Sequence, residues 1–201
     1  MTKCSAIILA AGLSRRMGAR NKLLLQVNDI PMIRHVVQTY SAVATDVIVV
    51  TGHEAKKIEA ALAGTDVKFV FNPDFAQGQR SSVVCGLRAV AADRSVFMGL
   101  GDQPHLTADD LRALIDAHQA ADPARISIPM AQGQRGNPIL IPTTLRARLL
   151  ADRTSPGCKT FTRAHPEHVQ FHQLNAAGFY ADVDTPEDYS AITKDHLEVT
   201  R

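Results

Sequence analysis

The sequence predicts an α/β protein: one doubly wound, mostly parallel sheet with helices on both faces, and a small β-hairpin inserted in its second half. Three observations carry that expectation. Short, nearly continuous apolar runs recur through the first half, as strands buried on both faces require. An amphipathic stretch with helix start or stop signals follows each run. The alternation breaks once, around Gly133–Gly136, where two apolar runs flank turn residues. The 201 residues are read as a single domain, 1–201, with chain enough for a substantial core.

Taken in order, Ser5–Leu9 is the first strand, and Pro31, suited to a first helical position, opens a helix over Met32–Tyr40. Asp46–Val50 is the second strand, followed by a helix over Glu54–Leu62 that stops near Gly64. Val67–Phe71 is the third strand, and a helix over Ser82–Ala92 follows the loop Asn72–Arg80. Ser95–Leu100 is the fourth, after which Thr107-Ala-Asp-Asp caps a helix running to about Ala120. Beyond it, Ile126–Met130 and Pro138–Ile141 flank the hairpin. Thr143–Leu150 and Lys159–Ala164 read as helices, Val169–Leu174 as a strand, and Pro186–Lys194 as the last helix.

Composition excludes several function classes. Twenty-two Lys and Arg against 20 Asp and Glu leave a formal charge of +2, too even for a chain that binds nucleic acid or an acidic membrane through its whole surface. Apolar residues at 45% and charged ones at 21% fit a folded chain. Cys4, Cys85 and Cys158 are far apart with no CxxC pair, which excludes a disulfide scaffold and points to a reducing, cytoplasmic setting. The apolar run Ala6–Ala11 is short and runs straight into Arg15 and Arg16, so it reads as a buried strand, not a secretory leader. No stretch approaches the roughly 18–20 apolar residues a membrane span needs.

Ligands of open parallel sheets bind beyond the carboxyl ends of the strands, and three loops there are unusual. The first is Leu9-Ala-Ala-Gly12-Leu-Ser14-Arg15-Arg16-Met-Gly18-Ala-Arg20-Asn-Lys22. Its glycines, hydroxyl and cations suit a phosphate cradle, or a plain basic surface loop; it lacks the Gly-Lys-Ser/Thr of a Walker loop. The second is Gly99-Leu-Gly101-Asp102-Gln-Pro104, where a carboxylate at a strand end suits Mg²⁺, or simply opens a turn. Gly99 and Gly101 are not completed by a third glycine, which counts against a nicotinamide site. The third is Asp182-Val-Asp184-Thr-Pro-Glu-Asp188. Asp184 or Thr185 caps the last helix, while Asp182, alternating with Asp184, offers a further metal ligand. His165-Pro-Glu-His168 with His172 has metal-like spacing but reads as surface histidines, and Cys85 as a small core residue.

Together, six pieces in order from residue 5 to about 190 resemble the MobA/MocA-like nucleotidyltransferases, which attach a nucleotide to molybdopterin. They are the first loop with Lys22, Val50-Thr-Gly52, Asn72-Pro-Asp-Phe-Ala-Gln-Gly78, Gly101-Asp-Gln-Pro104, Gly136-Asn-Pro-Ile-Leu140 and the Asp182–Asp188 stretch. The resemblance implies a Rossmann-like, nucleotide-diphospho-sugar transferase-like fold. Ala10-Ala11-Gly12 resembles the cytidylyl-transferring branch, where guanylyl-transferring members usually carry Leu-Ala-Gly-Gly.

The implied reaction moves CMP from CTP to the terminal phosphate of molybdopterin, giving the cytosine dinucleotide cofactor and pyrophosphate. On that resemblance Arg16, Lys22 and Asp102 are catalytic, and Ala10, Ala11, Gly12, Ser14, Arg15, Gln77, Gly78 and Ser81 bind the nucleotide. Arg135, Asn137 and Lys159 face the acceptor, and Asp102 with Asp184 or Asp182 holds Mg²⁺. The implied partners are CTP, the molybdopterin cofactor, and a client molybdenum hydroxylase or its maturation chaperone. The alternatives are a different phosphorylated acceptor, GTP in place of CTP, an NAD(P)H-dependent oxidoreductase, and a non-catalytic cofactor carrier.

Overall fold

The computed structural model describes residues 3–18, 20–152 and 158–199. β1 (Cys4–Ala10) carries no charge and is buried along almost its whole length. Two short 3-10 turns lead from it to a two-residue hairpin, β2 (Gln26–Val27) and β3 (Ile30–Pro31), and then to α1 (Met32–Ser41). Strict alternation follows: β4 (Asp46–Thr51), α2 (Ala55–Ala61), β5 (Lys68–Phe71), α3 (Gln79–Ala89), β6 (Ser95–Leu100), α4 (Ala108–Ala120) and β7 (Ile126–Ala131). The second half adds β8 (Gln134–Arg135), β9 (Ile139–Ile141), α5 (Thr143–Ala151), α6 (Cys158–Ala164), β10 (Val169–Gln173) and α7 (Pro186–Val199).

The main sheet runs β10-β7-β9-β6-β1-β4-β5, with β8 on β7. Its strands pair in parallel except at β8 and β9. From β1 the chain builds outward to β5, then crosses to β6 on the other side, so β1 and β6 border the switch point of a doubly wound sheet. Leu9 is in register with Val50 and with Leu100, which opens the loops after β1, β4 and β6 on one edge. The expected hairpin is present as β7–β8, and β9 then wedges antiparallel between β6 and β7. Because β9 runs backwards, it is its amino end, at Asn137 and Pro138, that reaches the carboxyl edge of the parallel strands.

Period-two burial in β1 divides the core. Cys4, Ala6, Ile8 and Ala10 face α1, α2 and α4 through Ile33, Val37, Ile58 and Leu114. Ile7 faces the other way, with Val50, Val83, Leu87, Leu145 and Phe161 from β4, α3, α5 and α6. Each fully buried Ile, Leu, Val or Phe side chain among these is worth about 1.5–3 kcal/mol of transfer free energy.

The boundaries shift where local signals compete. Pro31 stays extended and α1 starts at Met32. α3 begins at Gln79, before the expected Ser82, and Val90 turns extended. The β2–β3 hairpin was not expected; Asn28 and Asp29 make its turn at φ 52° and 62°, the left-handed geometry that two-residue hairpins favour. α4 is held by a capping box: the Asp110 amide donates to Thr107 Oγ1 at 3.2 Å, and the Thr107 amide to the Asp110 carboxylate at 2.9 Å. Among the described residues no helix is long and apolar enough to cross a membrane.

Candidate active site

The loops after β1 and β6, the start of α3, the β8–β9 turn, α6 and the segment before α7 enclose a cleft of about 1080 Å³. That lies at the upper end of the roughly 300–1,000 Å³ usual for a small-molecule site. Arg15, Arg16, Lys22 and Arg80 line one part of it, and Arg135, Lys159 and Arg163 another. Against these seven cations stand three carboxylates, Asp102, Asp182 and Asp184. The local excess of positive charge is larger than the +2 of the whole chain, and it favours a polyanion.

The centre of the cleft is an ionic cluster. Lys22 Nζ bonds the Asp102 carboxylate and, at 2.7 Å, Asp184 Oδ1; Arg16 Nη2 meets Asp184 Oδ2 at 2.9 Å. The first loop positions these cations. Ser14 takes the left-handed φ of 49°, and its hydroxyl accepts the Lys22 amide at 3.3 Å. The Asn21 carboxamide accepts the Leu23 amide at 3.1 Å and caps the short turn that carries Lys22. Burial disfavours the charged Lys22 ammonium, but its bonds and Coulomb attraction to Asp102 and Asp184 outweigh that, and its pKa is raised.

The third loop is pinned beside the second. The Val183 amide donates to the Asp102 carbonyl at 2.9 Å, and Val183 is buried, so Asp182 and Asp184 on either side of it both line the cleft. Of the two capping candidates, Thr185 is the cap. Its Oγ1 accepts the Asp188 amide at 3.2 Å, while the Asp188 carboxylate accepts the amides of Thr185 at 2.8 Å and Asp184 at 3.0 Å. Those hydrogen bonds hold Asp188 below the usual carboxylate range. They also leave the Asp184 side chain free for Lys22 and Arg16. Asp182 is shifted the other way, upward, by desolvation at the cleft wall and by the like charges of Asp102 and Asp184.

An all-oxygen donor set of this kind suits a hard divalent cation. Asp102 Oδ1 is buried with no hydrogen-bond partner among the described residues, an unmet acceptor at the place such a cation would occupy. No cluster of three or more His, Cys, Asp or Glu among the described residues could hold a metal by itself, so a bound phosphate would have to complete the coordination. None of the described histidine side chains lines the cleft. His165 sits between Asp152 and Glu167, 3.3 Å from each, and His172 Nε2 is 2.9 Å from Ser127 Oγ. Burial pushes the thiols of Cys4 and Cys158 up to about 12, and raises Cys85 as well, which disfavours their thiolate forms.

The remaining expected residues divide. Ala11, Gly12, Ser14 and Arg15 are on the cleft wall, whereas Ala10 is buried beneath it. A Cβ at Gly12 would meet nothing within 4 Å, so internal packing does not require glycine there and the backbone lies bare toward the cleft. Gly52 differs: a Cβ would fall 2.6 Å from Phe75 Cβ and 2.8 Å from Ala11 Cβ. That glycine lets the Asn72–Gly78 loop close onto the first loop.

Within the Asn72–Gly78 loop, Gly78 lines the cleft but Gln77 and Ser81 do not. Gln77 Nε2 donates to Asp74 Oδ1 at 2.9 Å, and Ser81 Oγ is bonded to Asn72, Asp74 and Gly78 backbone or side-chain atoms within 2.9 Å. Phe75, Gln79, Arg80 and Ser82 form the wall instead. Arg135, Asn137 and Lys159 are brought together as expected, with the Gly136 and Asn137 amides tied to the carbonyls of Pro129 and Phe179, each at 2.8 Å. Sequence reasoning passed over Arg80 and Arg163. The spacing of Lys159 and Arg163, four apart on a helix, places them on one face and was the available signal for the latter.

Residues 6–169 match the family model described as the MobA-like NTP transferase domain. The molybdenum cofactor cytidylyltransferase of Escherichia coli (strain K12) is 27% identical over 202 residues, covering 99% of this chain and 100% of the relative. The nicotine blue oxidoreductase of Paenarthrobacter nicotinovorans is 26% identical over 192 residues, covering 91% and 93%. Among solved structures, a nucleotidyl transferase from Methanothermobacter thermautotroptrophicus aligns over the full length of both chains, with a TM-score of 0.82 and 26% identity. Rv0371c from Mycobacterium tuberculosis H37Rv, in complex with manganese, aligns with a TM-score of 0.74 and 25% identity, over 96% of this chain and 98% of that one.

Proposed function

The chain belongs to the MobA-like NTP transferase family, and on that premise we propose that it transfers CMP from CTP to the terminal phosphate of molybdopterin, releasing pyrophosphate. The observation that carries the reading is the meeting, in one large cleft, of the Lys22–Asp102–Asp184 cluster with the bare backbone of the first loop. The full-length similarity to a molybdenum cofactor cytidylyltransferase supports the choice of nucleotide and acceptor.

Arg15, Arg16, Lys22 and Arg80 neutralise the triphosphate, with backbone amides of Ala11–Ser14 beside it. Asp102, with Asp184 or Asp182, would hold Mg²⁺, which when bound offsets charge on the phosphates and on the departing pyrophosphate. Gly78, Gln79 and Ser82 border the base and ribose. Arg135, Asn137 and Lys159 face the acceptor.

A phosphate monoester has a second pKa of about 6, so near neutral pH the acceptor oxygen is already ionised and no general base is needed. That oxygen forms a bond to the α-phosphorus of CTP as the bond from that phosphorus to the pyrophosphate oxygen breaks. No proton changes hands. The protein's contribution is alignment of the two anions and neutralisation of their repulsion.

Thermal unfolding with candidate ligands tests this reading. CTP with Mg²⁺ at about a hundred times its Kd is worth about 2.7 kcal/mol, which for a chain of this size raises Tm by about 5–10 °C. GTP, ATP and NAD(P)H should give smaller shifts. Equal shifts with CTP and GTP would remove the cytidine assignment. A shift with NAD(P)H alone would move the protein toward the chemistry in the name of its Paenarthrobacter relative.

A further inference from the structure

The part of the cleft lined by β8 and α6 holds two guanidinium groups, Arg135 and Arg163, that no carboxylate among the described residues neutralises. Arg135 extends from β8, its Nη2 donates to Thr162 Oγ1 at 2.6 Å, and its guanidinium lies over the Phe171 ring, 5.4 Å from the centroid. Arg163, next to Thr162 on α6, lines the same wall. Burial, and then the like charge of Arg163, lower the Arg135 pKa from its ordinary value, which places the two groups in each other's field. Among the described residues no ion pair reaches either arginine or Lys159.

In the other half of the cleft Arg16 and Lys22 already sit on Asp184 and Asp102, while Arg15 and Arg80 have no ion pair among the described residues. Here a hydroxyl and an aromatic ring hold Arg135 in place while its charge is left unmet, an arrangement that is unfavourable until an anion arrives. Two forked guanidiniums match the oxygens of a phosphate monoester, which they bind in bidentate fashion more specifically than ammonium groups do. β8 and α6 line the same cleft as the loop after β1, so an anion seated on Arg135 and Arg163 and one on the first loop share one cleft.

We propose that Arg135 and Arg163 together seat the phosphate monoester of the acceptor, with Arg163 a specificity-determining residue and Thr162 and Phe171 positioning Arg135. The inference rests on the two-ligand, nucleotide-plus-acceptor reading of the cleft. The seated phosphate presents a free oxygen to the α-phosphorus, and both guanidiniums stay protonated throughout.

The test is calorimetric titration of inorganic phosphate into protein already saturated with a non-hydrolysable CTP analogue and Mg²⁺, for the wild type and for Arg163→Met, Arg163→Lys and Thr162→Val. Arg163 is exposed, so its replacement leaves the core untouched. Arg163→Met should weaken phosphate binding roughly tenfold or more while the analogue binds as before, as expected for loss of a charge-assisted fork. Arg163→Lys should recover part of the loss, and Thr162→Val should weaken phosphate binding less than Arg163→Met does. In turnover, Arg163→Met should raise KM for Mo-molybdopterin and leave KM for CTP unchanged. Phosphate binding that is unaltered in Arg163→Met, with the analogue still bound, overturns this inference alone. Failure of the analogue to bind the wild type overturns the reading of the cleft beneath it.

Discussion

Replacing Lys22 with methionine keeps the length and apolar stem of the side chain and removes the cation from between two carboxylates. The Lys22 and Asp102 side chains are only 14% and 15% exposed, and Asp184 is 28% exposed. In the variant, Asp102 would retain a buried Oδ1 without a partner and would face Asp184 and Asp182 uncompensated. Arg16, which is 68% exposed, reaches Asp184 alone. Breaking a buried pair by removing one partner costs about 3–5 kcal/mol, and an exposed pair about 0–1. At this intermediate burial the expected loss is about 2 kcal/mol, or about 4–8 °C in Tm for a chain of this size. Urea unfolding of both proteins, with and without Mg²⁺ and in the absence of nucleotide, measures it. Mg²⁺ should restore part of the variant's stability, because it takes the carboxylates Lys22 has vacated, and should add less to the wild type. A Lys22→Met protein as stable as the wild type and indifferent to Mg²⁺ would show that the carboxylates are not a shared seat for ammonium and metal.

Three further outcomes are expected. Asp102→Asn should keep the fold, with a loss in Tm no larger than that of Lys22→Met, yet lower the rate of nucleotidyl transfer by about 10²–10³, measured as pyrophosphate release, since it removes a carboxylate that would hold Mg²⁺ against the reacting phosphates. Gly52→Ala should destabilise the protein by about 1–3 kcal/mol in urea unfolding, because the added methyl overlaps the side chains of Phe75 and Ala11. The pH dependence of stability should show the buried imidazoles. Desolvation lowers the pKa of His118, as does neighbouring His172, and desolvation lowers His172 too. The unfolded chain therefore takes up these protons first, so the stability is present above about pH 6.5 and is lost as pH falls through the lowered folded values. Urea titrations from pH 7.5 to 5 should fall with a slope that flattens in His118→Gln.

The interior parallel strands β1, β4, β6 and β7 are legible because burial on both faces leaves nearly uninterrupted apolar runs, and Ser95–Leu100 has the same limits in sequence and structure; the edge strands β5 and β10 are largely exposed, Phe69, Phe71 and Phe171 included. The β2–β3 hairpin was not legible, since two-residue strands have no measurable periodicity and only the Asn28-Asp29 turn marks it. The start of α3 was hidden because Gln79-Arg80-Ser81 is polar on every side, and polarity does not say which neighbour faces the cleft. The resemblance points to Gln77 and Ser81, whereas Gln79 and Ser82 line the cleft. The three loops singled out in the sequence all line the cleft, but sequence does not show how they join: the fold brings Lys22 onto Asp102 across 80 residues through the adjacency of β1 and β6.

Pyrophosphate release from CTP in the presence of Mg²⁺, measured with and without Mo-molybdopterin and in parallel with GTP, tests the proposed transfer most directly. The expected result is release that requires both CTP and the molybdopterin acceptor and is much slower with GTP. Release that is absent with the acceptor present, or equally fast with GTP, would contradict cytidylyl transfer to molybdopterin.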